Sequence, residues 1–393
     1  MVWSYIIQLS IVATAMLIGS FLRAKVRFLQ KFLIPSPMIA GFLLLIFYNT
    51  VGLRIGFTNE FLDSLVYHLL NISFISMMLR IPEKKEKGSK GMLVQNTASL
   101  AFQYGIQVFL GLLLTFILMK TFYPHLFPAF GLALPLGFEL GPGQAYSLSA
   151  PWEAMGFAGA TDVGLTLAAL GFIVGSVGGV ILINRGVKYK WFDEKYIRKV
   201  SSRGVSTGFL KKDEPRPEGS RQTTESDAID SLSYHFALVF ATYLLSYGIL
   251  KLIEFLLSFL GGTGVQLSTS LWGVNFVFSV FVAVLVRTLL MKCGIAHTVD
   301  NGTMTRINGL SVDLTVAASL GAITLASLRG YWIPVVLLTA LGIFIACIVT
   351  PFFCSRMFSD HKFFRMLMIF GTATGTLSTA LSLIRVVDPE FET

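Results

Sequence analysis

The chain has 393 residues, of which 54% are hydrophobic and 13% charged, and its mean hydropathy is +0.70. Soluble globular chains carry about 25% charged residues, so this surface cannot be solvated by water. A soluble enzyme, a disordered chain and a secreted disulfide scaffold are excluded, which leaves an all-α polytopic membrane protein. The net charge of +9 does not indicate a nucleic-acid partner, because membrane proteins keep excess Lys and Arg in cytoplasmic loops. Cys293, Cys347 and Cys354 form no C-x-x-C pair, and so give neither a disulfide framework nor a zinc site.

A helix needs about 20 apolar residues to cross the hydrocarbon core. Hydropathy predicts spans near 3–22, 33–51, 61–80, 92–119 and 157–184, then near 232–260, 271–290, 312–329 and 332–354. Residues 1–22 are uncharged, with Arg23, Lys25, Arg27 and Lys31 following, which reads as an anchor helix rather than a cleaved signal. The segments 125–150 and 363–386 are apolar but interrupted by Gly and Pro or by hydroxyl residues, and read as re-entrant hairpins. Residues 186–231 form the long polar stretch, mixed in charge, as expected of a solvated linker.

With the N-terminus outside, 26 of the 31 basic residues fall in inside loops, and only Arg54, Lys120, Lys251, Arg329 and Arg385 lie elsewhere. The positive-inside rule therefore predicts a multi-pass protein of the cytoplasmic (inner) membrane with a cytoplasmic central linker. The two sides of that linker share one plan. Residues 1–185 hold five spans with a broken segment before the fifth, and residues 232–393 hold four spans and a broken segment. An odd number of spans per half makes these inverted-topology repeats, whose hairpins enter from opposite faces. The second half has no counterpart to 157–184, so this plan expects a final helix that the sequence lacks. Paired, interrupted segments in corresponding positions point to a transporter's midplane site.

Unwound backbone at membrane depth frees N–H and C=O groups for ligands. In the first broken segment Gly141 and Gly143 flank Pro142 and let backbone approach a ligand, while Gln144, Ser147 and Ser149 offer neutral donors and acceptors. In the second, Thr372, Thr374, Thr376, Ser378 and Thr379 accompany Gly375. Helix packing through small residues and hydroxyl back-bonding is the competing explanation. Arg385 either pairs with Asp388, three residues on, or presents its planar fork to a substrate carboxylate. Glu139 adjoins the first break, where its charge would repel an anion unless protonated or bound to a cation. Asp162 and Asp313 are acids at corresponding places in two spans, and intramembrane acids are functional-site hypotheses by default. Thr161 and Asn308 add oxygen atoms beside them. These four are the Na⁺ candidates. Lys251 and Glu254 read as a structural pair, and His68 as a packing or interfacial residue.

Four stretches, "IPSPMIAGFLL", "GPGQA", "ATDVGLTLAALGFIVGSVGGVILINRG" and "GTATGTLSTALSLIRVVDPEFET", resemble the sodium/glutamate symporter family. The likeness runs along nearly the whole chain and is weakest in the linker. It implies Na⁺-coupled import of L-glutamate, re-entrant hairpins in inverted repeats, a homodimer, an elevator-like movement, and Na⁺ as coupling ion without an organic cofactor. It also implies that the family's sequence continues into a further helix. The same fold carrying another dicarboxylate or amino acid, or a transport-inactive truncated scaffold, are the alternatives. An intramembrane enzyme would need clustered acids, a nucleophile with its base, or metal ligands, and the sequence has no such motif. A channel is disfavoured because two discontinuous segments suit occlusion better than an open pore.

Overall fold

The structure is a computed structural model that describes residues 2–82, 90–191, 207–210, 212, 216, 218–358, 360–375 and 377–387. Residues 192–206, 211, 213–215 and 217 of the charged linker, together with Thr376 and Asp388, lie outside the described residues. Every regular element among the described residues is helical. Apart from the short helix Arg27–Lys31 and the 3-10 turns Ala296–Thr298 and Ser327–Gly330, they are in chain order α1 (Val2–Lys25), α2 (Ser36–Gly52), α3 (Glu60–Met78), α4 (Lys90–Thr121), α5 (Phe130–Leu140), α6 (Pro142–Ala154) and α7 (Ala160–Lys188). Then come α8 (Ser231–Ser258), α9 (Gly262–Gly273), α10 (Asn275–Lys292), α11 (Asn301–Ala322), α12 (Trp332–Met357), α13 (Lys362–Ala373) and α14 (Leu377–Val387). Among the described residues, seven helices are long and apolar enough to cross a membrane: α1, α3, α4, α7, α8, α10 and α12.

Local chemistry sets the boundaries. The Asp230 carboxylate caps α8 by accepting the Ser233 N–H at 2.7 Å. Asp300 caps α11, accepting the Thr303 N–H at 2.7 Å and its hydroxyl at 2.8 Å. This cap corrects one expected span: the helix is Asn301–Ala322 rather than 312–329. Its first turns carry Asn301, Thr303, Thr305, Arg306 and Asn308, polar side chains that hydropathy counts against a helix. Several of them are instead satisfied inside the protein. Asn301 accepts the Ile81 N–H and donates to its carbonyl, each at 2.8 Å. The expected span 271–290 is likewise split at Val274, between α9 and α10.

Lipid tails are as apolar as leucine, so helices in a bilayer are held by close packing and polar contacts rather than by exclusion from water. Helix α7 is the centre of that packing. Its Leu165, Ala169 and Phe172 join a core with α1, α2, α3 and α11. Its Leu182 and Ile183 join one with α12, α13 and α14, and its Val163 and Leu167 one with α4, α5 and α12. A fourth core holds α3, α8, α10 and α11 together without α7. Helix α11 packs on α2 and α3, α10 on α3, α4 on α12, and both α5–α6 and α13–α14 lie against α7. Lys251 and Glu254 pair at 2.9 Å, as their spacing predicts, and His68 Nδ1 lies 2.8 Å from the Tyr243 hydroxyl.

Candidate functional site

Two breaks in the helices meet on one stretch of α7. The first follows α5, whose last turn, Leu136–Leu140, is widened to a π-type turn; such turns recur at functional sites. Gly141 then takes φ 84° and ψ 175°, a conformation essentially reserved for glycine. Pro142 starts α6 at the position where its missing N–H costs nothing. The chain reverses here: Phe127, just before α5, and Trp152, in the last turn of α6, have ring centroids 6.0 Å apart. The second break lies after Ala373, where Thr374 leaves helical geometry before α14 begins at Leu377.

Glycines on α7 let both breaks come close. A methyl group placed on Gly171 would sit 3.0 Å from the Thr374 carbonyl oxygen and 3.1 Å from Phe138 Cα, so this residue touches both breaks. One turn on, a methyl group on Gly175 would meet the Thr374 hydroxyl oxygen at 2.8 Å. The run "GLTLAALGFIVGSVGG" thus serves as a smooth rail against which both broken segments press.

Between the first break, α3 and α11 lies a cavity of ≈ 350 Å³, lined by Ser73, Glu139, Gly141, Gln144, Asn308 and Thr315 among others. Its size suits a small molecule, for which pockets run from about 300 to 1,000 Å³. Gly143 also lines it and packs its backbone against Leu70, leaving no room for a Cβ. Asn308 accepts a 2.8 Å hydrogen bond from the Ser73 hydroxyl. No Lys or Arg is among the lining residues. Ser147, one turn beyond Gly143, is 1% exposed, and its hydroxyl has no hydrogen-bond partner.

Thr372 and Thr374 donate to the carbonyls of Met368 and Phe370, at 2.8 and 2.7 Å. Thr379 is buried, and Gly375 packs against it. Arg385 lies on α14, and its side chain is outside the described residues, as is all of Thr376. The four Na⁺ candidates do not share one pocket. Asp162 accepts the Thr324 N–H at 2.6 Å, and Thr161 donates its hydroxyl to Glu153. Asn308 lines the cavity, while Asp313 is exposed on the same helix. Five residues apart, those two point about 140° from each other around the axis, which is why one helix does not bring both to one ligand.

Sequence reasoning passed over Ser73 and Gln107. Gln107 Nε2 lies 3.5 Å from Glu139 Oε2 beside the first break and 3.4 Å from the Ala373 carbonyl at the second. A signal was present: Gln95, Ser99, Gln103 and Gln107 recur every fourth residue along α4, a polar stripe on an otherwise apolar helix. The family model described as Sodium/glutamate symporter matches residues 3–363 of the chain. No curated protein and no solved structure matches it.

Proposed function

We propose, for a chain that belongs to the sodium/glutamate symporter family, that it imports L-glutamate with Na⁺ by alternating access. The observation that carries this reading is the meeting of the two helix breaks at Gly171, beside a cavity of small-molecule size. Each break offers two kinds of end. The N-termini of α6 and α14 carry free N–H groups and the positive end of a helix dipole, suited to substrate carboxylates. The C-termini of α5 and α13 carry free carbonyls, suited to Na⁺. Within the cavity Gln144, Asn308, Ser73 and Thr315 supply neutral donors and acceptors, with Ser147 next to them. Gly141, Gly143, Thr372, Thr374, Gly375, Thr376, Thr379 and Arg385 belong to the same proposed substrate region.

In this reading α5–α6 and α13–α14 are re-entrant hairpins, and residues 1–185 and 232–393 are inverted repeats joined by the linker 186–231. Symmetric packing supports it. The contact of α2 with α11 is matched by that of α10 with α3, α1 with α11 by α8 with α3, and α5 with α12 by α13 with α4. A homodimer with an elevator-like movement of the hairpins and α7 completes the proposal. So does an outside N-terminus in the cytoplasmic membrane, supported by the placement of basic residues.

Uptake of labelled L-glutamate into proteoliposomes, with and without an inward Na⁺ gradient, tests the function. Na⁺-stimulated accumulation is expected, with unlabelled aspartate and dicarboxylates competing more weakly than glutamate. Uptake indifferent to Na⁺ would overturn the coupling, and stronger competition by another substrate would reassign the cargo.

A further inference from the structure

We propose that Gln107, Glu139 and the Ala373 carbonyl form a Na⁺ site that joins the two helix breaks. The inference rests on the Na⁺ coupling proposed above and names where the ion binds, at residues other than the four Na⁺ candidates Thr161, Asp162, Asn308 and Asp313.

Three observations carry it. First, the groups are starved of donors. Glu139 has no Lys, Arg or His within ion-pair distance among the described residues, and its one hydrogen-bond contact is with Gln107 at 3.5 Å. Gln107 is 2% exposed, and its Oε1 has no partner. A buried amide end left without a partner is costly whichever way the amide is turned, so the Gln107 side chain is not held in place by its own hydrogen bonds. Its two Nε2 contacts, at 3.5 and 3.4 Å, are long for N–H···O bonds, which cluster near about 2.9–3.0 Å.

Second, the distances suit a shared ion. Amide oxygen and nitrogen are told apart only by their hydrogen-bond partners. With the Gln107 amide turned over, Oε1 occupies the position now given to Nε2, 3.5 Å from Glu139 Oε2 and 3.4 Å from the Ala373 carbonyl oxygen. Oxygen ligands lie about 2.3–2.6 Å from Ca²⁺, which is close to Na⁺ in radius. Two ligands at about 2.4 Å and at right angles then stand about 3.4 Å apart, which matches the separations seen.

Third, the backbone adds negative potential. Glu139 sits in the last turn of α5, and Ala373 is the last residue of α13, so two helix C-termini point at the same place. A monovalent cation there would neutralise Glu139, which also lines the cavity, before an anionic substrate enters it. It would also tie the first break to the second through α4. That gives an order of events: ion first, substrate next.

The test is a Na⁺ titration of the purified full-length chain without glutamate, read as thermal stabilisation, with K⁺ and choline controlling for ionic strength. The variants are Gln107→Leu, Glu139→Gln and Gln107→Glu, the last of which keeps an oxygen at the same reach. The expected result is a saturable, Na⁺-specific stabilisation of the wild type. Its midpoint rises at least tenfold in Gln107→Leu and Glu139→Gln, and is retained in Gln107→Glu. An unchanged midpoint in the first two variants overturns the site while leaving Na⁺-driven uptake standing. So does a response to protons in place of Na⁺, or a wild type that ignores Na⁺ in this assay yet transports with it. Loss of the response in all three variants, including Gln107→Glu, marks unfolding around α4 and overturns it as well.

Discussion

The carboxylate of Asp162, in the first turn of α7, accepts a 2.6 Å hydrogen bond from the backbone N–H of Thr324, just beyond the end of α11. The bond anchors the helix that supports both breaks to a helix that lines the cavity. It also gives this intramembrane acid a structural task. Removing the acceptor in Asp162→Ala should cost about 1.5–3 kcal/mol, the range for hydrogen bonds to charged groups. Asp162→Asn keeps an oxygen and should lose less than half of that. Melting temperatures in detergent check the order; equal losses in the two variants would show that charge, not the bond to Thr324, matters.

Gly175→Ala would press a methyl group against the Thr374 hydroxyl, and Gly171→Ala would press one against the Thr374 carbonyl and Phe138. Overpacking of this kind costs about 1–3 kcal/mol. Both variants should cut glutamate uptake at least tenfold, because the second break must shift away from α7. Gly105→Ala on α4 has nothing within 4 Å of the new methyl and should transport like the wild type. Similar losses in all three would mean that helix flexibility, not contact with the breaks, is at stake.

Gly141 is constrained by its backbone conformation. With φ 84° and ψ 175°, an alanine there is strained by about 1–3 kcal/mol. The first break should relax, and the KM for glutamate should rise with little change in expression level. An unaltered KM would place the substrate elsewhere.

Ser147 separates packing from binding. Its buried hydroxyl has no partner, so Ser147→Ala should leave the melting temperature unchanged or slightly higher. If the hydroxyl serves the substrate, the KM for glutamate should rise at least threefold in the same variant. Unchanged uptake kinetics would remove Ser147 from the site.

Asp300, outside the spans, gives a pH dependence. Burial pushes its carboxyl up, but hydrogen bonds from the Thr303 hydroxyl and N–H and from the N–H groups of Arg221 and Gly302 outweigh it and hold it below the ordinary carboxylate range. A folded value below the unfolded one means that the stabilisation is full above the unfolded value, about 3.9. It is lost as pH falls from there through the folded value. The stability gap between wild type and Asp300→Ala should therefore be constant from pH 7 to about pH 5 and shrink toward pH 3. Thermal melts across that range check it; a gap that grows on acidification would reverse the sign.

Composition and hydropathy alone determined the class of protein, most of the spans and the two broken segments, because apolar length and helix-breaking residues are local properties. The motifs alone determined the family. Hydropathy misplaced the start of α11, since the polar side chains of its first turns find partners in other parts of the chain, Asn301 at Ile81 and Asn308 at Ser73. The site depended on tertiary structure for the same reason. Asp162 and Asp313 stand out in a sequence with few charges, yet what each touches is set by the direction a helix face takes and by which neighbour reaches it. Only packing brought Gln107 from α4, Glu139 from α5 and the Ala373 carbonyl from α13 together. One of those groups is a neutral side chain and another is backbone, and neither kind of atom announces itself in a sequence.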